Sequence, residues 1–159
     1  MSFFNALKVT ASALTAQRLR MDLISNNIAN AETTRTEDGG PYKRQAAVFV
    51  PEGSTPELAL PSFVRGARDL WQKINGANGG VQVTEIVESN EPGSRVYDPA
   101  HPDADDDGYV TYPNVNLVTE MTNMLAATRS YEANVTVLNA AKQMAMKAPM
   151  KLLVPLLLF

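Results

Sequence analysis

Glycine and proline are confined to the middle of this chain, and that confinement limits what its two ends can become. All nine glycines lie between residues 39 and 108, and eight of the ten prolines lie between 41 and 113. In a helix interior these residues cost about 1 and 3 kcal/mol. Their absence from residues 1–31 and 114–148 therefore marks both ends as long helices. Charge divides the same way: each end carries +2 and residues 32–113 carry −7, leaving −3 over 159 residues. Such a balance gives no reason to expect nucleic acid as a partner. The chain has no cysteine, which excludes disulfides, thiolate metal sites and thiol catalysis, and His101 is its single histidine.

Both ends carry a heptad stripe. In the first, a 4-3 spacing selects Phe3, Leu7, Thr10, Leu14, Gln17, Met21, Ile24, Ile28 and Ala31, seven of them apolar. Ser2 is a suitable N-cap, and Ala11, Ala13 and Ala16 permit close helix approach. In the second, the spacing selects Leu117, Met121, Met124, Thr128, Tyr131, Val135, Leu138, Lys142 and Ala145, again with seven apolar. Asn114 or Asn116 can cap its start, Pro113 stands just outside, and Glu120 lies in the first turn, where the helix dipole favours an anion. Heptad stripes at opposite ends can pair antiparallel and still leave flanks for other chains. The expected interface residues are Leu7, Leu14, Met21, Ile24 and Ile28 of the first helix. In the second they are Leu117, Met121, Met124, Tyr131, Val135 and Leu138. Lys8, Arg18 and Arg20 interrupt any apolar leader core, so no cleaved signal peptide is expected, and no run of about 18 apolar residues spans a membrane.

The expected class is α+β: long N- and C-terminal helices paired as a coiled-coil-like stem, with a small β-rich central domain. The boundaries are 1–31 and 114–148 for the stem helices, 32–113 for the centre, and 149–159 for an atypical apolar tail. Within the centre, Gln45–Val50, Val81–Glu88, Ser94–Asp98 and Tyr109–Tyr112 read as strands between Gly, Pro and Asp breakers. Residues 51–79 are a variable stretch in which Val64–Ile74, with Trp71, reads as a short helix or a loop. The prolines at 149 and 155 are expected to break the second helix.

One central motif invites a metal. Asp103, Asp105, Asp107 and Gly108 fit the first half of a calcium loop, but position twelve is Asn114 rather than a bidentate glutamate, and an acidic turn is the simpler reading. Ser94 and Ser130 lie in no nucleophile elbow, and His101 sits beside Pro102 in a turn. No catalytic, cofactor-binding or metal-binding residue is assigned, and no small-molecule substrate is expected.

The junctions carry the most specific pattern. The first helix runs out in Ser25, Asn26, Asn27, Ile28, Ala29 and Asn30, followed after two residues by Thr33, Thr34, Arg35 and Thr36. Neighbouring asparagines tolerate left-handed backbone and bond to nearby main chain, so they can end a helix in a defined turn. The run resembles the Asn-rich signature after the N-terminal helix of bacterial flagellar axial proteins, the rod and hook group. Its Thr-Thr-Arg-Thr ending is more similar to the proximal-rod members. The approach to the second helix, with Pro113 and Asn114, and its Glu120, Met121, Arg129, Tyr131 and Asn134 also resemble that family. Gly39 to Arg44 and Gly80 to Val83 add weaker similarity.

The resemblance implies a structural subunit of the flagellar basal-body rod. Such a subunit would assemble helically with itself and other rod proteins through its terminal helices, transmitting torque and lining the export channel. It implies passage through the flagellar export apparatus and a location in the periplasm-spanning rod. A coiled-coil adaptor, or another axial protein of rod or hook, is the alternative. Related chains end in a shorter, more polar segment. The tail from Pro149 to Phe159 is therefore read either as buried against neighbouring subunits or as a reading-frame artefact.

Overall fold

The computed structural model describes residues 3–37, 39–52 and 79–153. Helix α1 spans Phe3–Ala29, and strands β1 to β4 span Gln45–Pro51, Val81–Glu88, Arg95–Tyr97 and Tyr109–Thr111. Helix α2 spans Leu117–Leu153. The α+β class therefore holds: two long helices and a small amount of antiparallel sheet. β1 pairs with β2, and β3 with β4. At the two ends of the first pair, the Ser89 amide donates to the Arg44 carbonyl and the Glu52 amide to the Gly80 carbonyl, both at 2.8 Å. Rising numbers on one strand meet falling numbers on the other, so the pair is antiparallel. β3 and β4 are antiparallel with Val96 opposite Val110. Val64–Ile74 and the last six residues lie outside the described residues.

Both helices contain hydroxyl residues that could compete with helical bonding. Thr10 and Thr15 instead donate to the carbonyls of Ala6 and Ala11, and Thr122, Thr128, Ser130 and Thr136 do the same along α2. Asn116 caps α2, its Oδ1 accepting the Thr119 amide at 3.0 Å, while Asn114 donates to Glu91 instead. At the end of α1 no described non-glycine residue takes a positive φ. The asparagines stop the helix by hydrogen bonding rather than by left-handed backbone: Asn30 donates to the Asn26 carbonyl, and Thr33 donates to the Asn30 side chain. The expected break at Pro149 does not occur, since α2 continues to Leu153. A proline removes one main-chain donor, and the helix absorbs that loss near its end.

The chain divides into two compact units. The first takes residues 1–16, 49–83 and 131–159. In it Lys8 pairs with Glu52 at 2.8 Å, the Ser12 hydroxyl accepts the Val81 amide, and Thr10, Ala16 and Ala141 are buried. The second takes residues 17–48 and 84–130. Its interior holds Leu23, Ile24, Asn27, Val110, Pro113, Glu120 and Ala127.

Every stripe position of α1 from Leu7 to Ala31 is buried or half-buried. On α2 the covered positions are Glu120, Asn123, Met124, Ala127, Thr128, Tyr131, Asn134, Val135, Leu138, Ala141 and Ala145. Of the expected stripe, Met124, Thr128, Tyr131, Val135, Leu138 and Ala145 are covered, whereas Leu117, Met121 and Lys142 are exposed and Glu120 and Ala141 are covered beside them. Alanine lets a neighbouring backbone come close, and Glu120 is covered because it has an internal partner.

Candidate functional site

The second unit ties the end of α1 to the start of α2 through a buried polar cluster. Asn27 is fully buried on the last turns of α1. Its Oδ1 accepts the Gln45 amide at 2.9 Å and the Tyr42 hydroxyl at 3.0 Å. Its Nδ2 donates to the Gln45 carbonyl at 2.8 Å and to Glu120 Oε2 at 3.3 Å. Every donor and acceptor of the carboxamide is used, as burial requires.

Glu120, with 1% exposure, receives Arg44 on its other oxygen, Nε at 2.9 Å and Nη2 at 2.8 Å. A carboxylate out of water is tolerated only with such charge-assisted bonds. Burial, then the Glu88 and Glu120 carboxylates, push the Tyr42 phenol up from its usual 10.0. It stays protonated and donates to Asn27. Thus residues 27, 42, 44, 45 and 120, drawn from α1, the following loop, β1 and α2, form one clamp.

A second set of contacts explains the threonine-rich run. Thr34 donates to Asp103 Oδ2 at 2.7 Å, with Arg35 3.6 Å from the other oxygen. The Thr33 carbonyl accepts the Tyr42 amide, and Thr36 closes a turn with Gly39 and Gly40, both at φ near +80°. Asp103 also takes its amide bond to His101 Nδ1 at 3.1 Å, which gives the single histidine a turn-stabilising part.

Asp105 organises its own loop. Its Oδ1 accepts the amides of Asp107 and Tyr109, and its Oδ2 accepts Arg95 at 2.6 Å. Arg95 lies 4.9 Å above the Tyr109 ring, which meets Tyr97 edge-on at 5.2 Å. The carboxylates of Asp103 and Asp105 therefore serve separate protein donors. No group of three or more acidic or histidine side chains is placed to hold a metal among the described residues.

The Tyr109 amide above all, against some desolvation and with Arg95 adding, holds the Asp105 carboxyl below its usual 3.8. A carboxyl depressed in the folded state contributes stability above its unfolded value, and that contribution is lost as pH falls through the folded one. Acidification through and below the usual 3.8 should therefore loosen this loop. The check is the Tyr109 amide chemical shift against pH, with a flat curve in Asp105→Asn.

The expected interface residues fall in two groups. Ile24 is buried, and Leu7, Leu14, Met21, Ile28, Met124, Tyr131, Val135 and Leu138 are half-buried. Leu117 and Met121 stay exposed, at 44% and 60%, beside Val118 and Leu125. Of the motif residues, Asn27, Thr33, Thr34, Arg35, Thr36, Asn114 and Glu120 make the contacts just described. Pro113 is buried, Asn134 half-buried, and Ser25, Asn26, Ala29 and Arg129 are exposed. Sequence reasoning missed the Arg44 and Tyr42 contributions. Their only signal was the weaker similarity around Gly39 to Arg44. The clamp holds segments together and has no arrangement of nucleophile and base.

Residues 7–35 match the family model described as flagella basal body rod protein. Residues 106–148 match the model for the C-terminal part of the flagellar basal body rod FlgEFG proteins. Asn27 and Glu120 lie one in each match. The chain is 49% identical over 148 residues to the flagellar basal-body rod protein FlgC of Borreliella burgdorferi, covering 91% of this chain and 93% of that one. It is 43% identical over 152 residues to the FlgC of Bacillus subtilis, covering 93% and 97%. With the FlgC of Escherichia coli O6:H1 the identity is 40% over 147 residues, covering 92% and 96%.

Proposed function

This chain belongs to the FlgC family of flagellar basal-body rod proteins, and we propose that it stacks into the rod through the outward flanks of α1 and α2. Its role is structural and not enzymatic, its place is the basal-body rod, and its partners are other rod components. The finer reading is a helical, coiled-coil-like assembly through Leu7, Leu14, Met21, Ile24, Ile28, Leu117, Met121, Met124, Tyr131, Val135 and Leu138. In it the paired helices line the export channel and torque passes through many small contacts. Delivery through the flagellar export apparatus, without a cleaved leader, belongs to the same proposal. So does the division into stem helices, central domain and tail.

One observation supports the stacking. Leu117, Val118, Met121 and Leu125 project from the first turns of α2, at 44%, 75%, 60% and 62% exposure. On a helix these positions form one contiguous flank, and an apolar patch of that kind marks an interaction surface. Met121→Asp with Leu125→Asp should leave the helical circular dichroism of the isolated chain unchanged, because both side chains already face solvent. Burying the new carboxylates unpaired should abolish rod assembly and motility. Normal basal bodies containing the variant would refute the proposal.

A further inference from the structure

Covered positions on α1 and α2 recur at heptad spacing, and such a seam looks nearly the same after a seven-residue slide. In the second unit the Thr128 hydroxyl lies 3.7 Å from the Met21 sulfur, which fixes the register observed. A slide that set Met21 against Met121 would still place apolar on apolar. It would also bring Arg20 opposite Glu120, so the charge of Glu120 alone does not forbid it. Asn27 does. In the slid register it would face Pro113, outside α2, and lose its bond to Glu120 while remaining held to both main-chain groups of Gln45.

We infer that the buried Asn27–Glu120 contact is the register key of the α1–α2 pair, selecting one heptad alignment from several that pack comparably. Arg44 is a positioning residue in this scheme: it neutralises Glu120 and fixes the oxygen that faces Asn27. A lone buried polar contact on a heptad seam commonly acts this way, specifying alignment more than adding stability. The inference concerns the folded chain, so it is tested without rods, and its failure leaves the rod reading intact.

The absence of cysteine makes cross-linking clean. Met21→Cys with Thr128→Cys reports the native register, and Met21→Cys with Met121→Cys reports the slid one. In the parent sequence, oxidation should yield the 21/128 disulfide and almost none of 21/121. With Asn27→Leu, Arg44→Met and Glu120→Leu, the 21/121 product should rise by roughly tenfold while helical content persists. Asn27→Leu alone, with Arg44 and Glu120 kept, should already raise the 21/121 product, because the Asn27 contact is what forbids the slide. If the triple variant loses its helical signal, Asn27→Leu with Glu120→Met is read the same way, because Arg44 can then turn to solvent. Parental cross-linking in a folded apolar variant would overturn the inference and assign register to the Thr34 and Arg35 contacts instead.

Discussion

Gly93→Ala should be among the most damaging single substitutions in the second unit, lowering stability by about 3–5 kcal/mol. A Cβ at Gly93 would overlap the Tyr112 carbonyl oxygen and press on Pro113, which is buried. Both obstacles are backbone atoms, so no rotamer change relieves them. Relief requires displacing the segment that leads from β4 into α2. That displacement strains the bond from the Tyr112 amide to the Ser94 carbonyl and the packing of fully buried Val110. At about 2–4 °C per kcal/mol for a chain of this size, the melting temperature should fall by roughly 10 °C. Gly39→Ala is the control. Nothing lies within 4 Å of a Cβ there, so only its φ of +80° matters, and the loss should be about 1–2 kcal/mol. Equal melting shifts for the two variants would show that the overlap at residue 93 is relieved without consequence.

Arg44→Met should be comparably severe, costing about 3 kcal/mol, because it strands Glu120 with Asn27 as its remaining side-chain partner. The lower end of the range applies because the Arg44 side chain keeps 34% of its surface in water. Arg44→Lys keeps the charge but replaces a two-pronged contact with a single ammonium, and should lose less than half as much. Denaturant midpoints for the two variants distinguish charge from geometry. If lysine is as poor as methionine, the paired donors matter more than the charge.

The helices and strands were readable because their signals are local. Gly/Pro exclusion, a seven-residue period and β-branched runs between breakers located α1, β1 to β4 and the start of α2 within a few residues. The clamp was not readable in the same way. Asn27 is one of three asparagines within five positions, and nothing local separates the buried one from exposed Asn26. Glu120 has the position of an ordinary first-turn acid, and its burial depends on Arg44, 76 residues earlier. At the first turn of α2 the covered face differs from the expected one for a related reason. Counting apolar residues favoured Met121, whereas the covered position is occupied by a glutamate with an internal partner. Thr34, Arg35 and Arg95, which take up the Asp103 and Asp105 carboxylates of the calcium-like motif, come from other segments and are not signalled by the motif itself.

Asn27 does more than join two helices. Its carboxamide meets both main-chain groups of Gln45, the first residue of β1, as a neighbouring strand would. An open strand edge is a template on which another chain can add itself, and proteins that remain separate until assembly must blunt such edges. Here the blunting is supplied by a helix side chain. The bond pair that secures α1 therefore also occupies the edge groups of Gln45, the position at which a stray strand would otherwise begin pairing with β1.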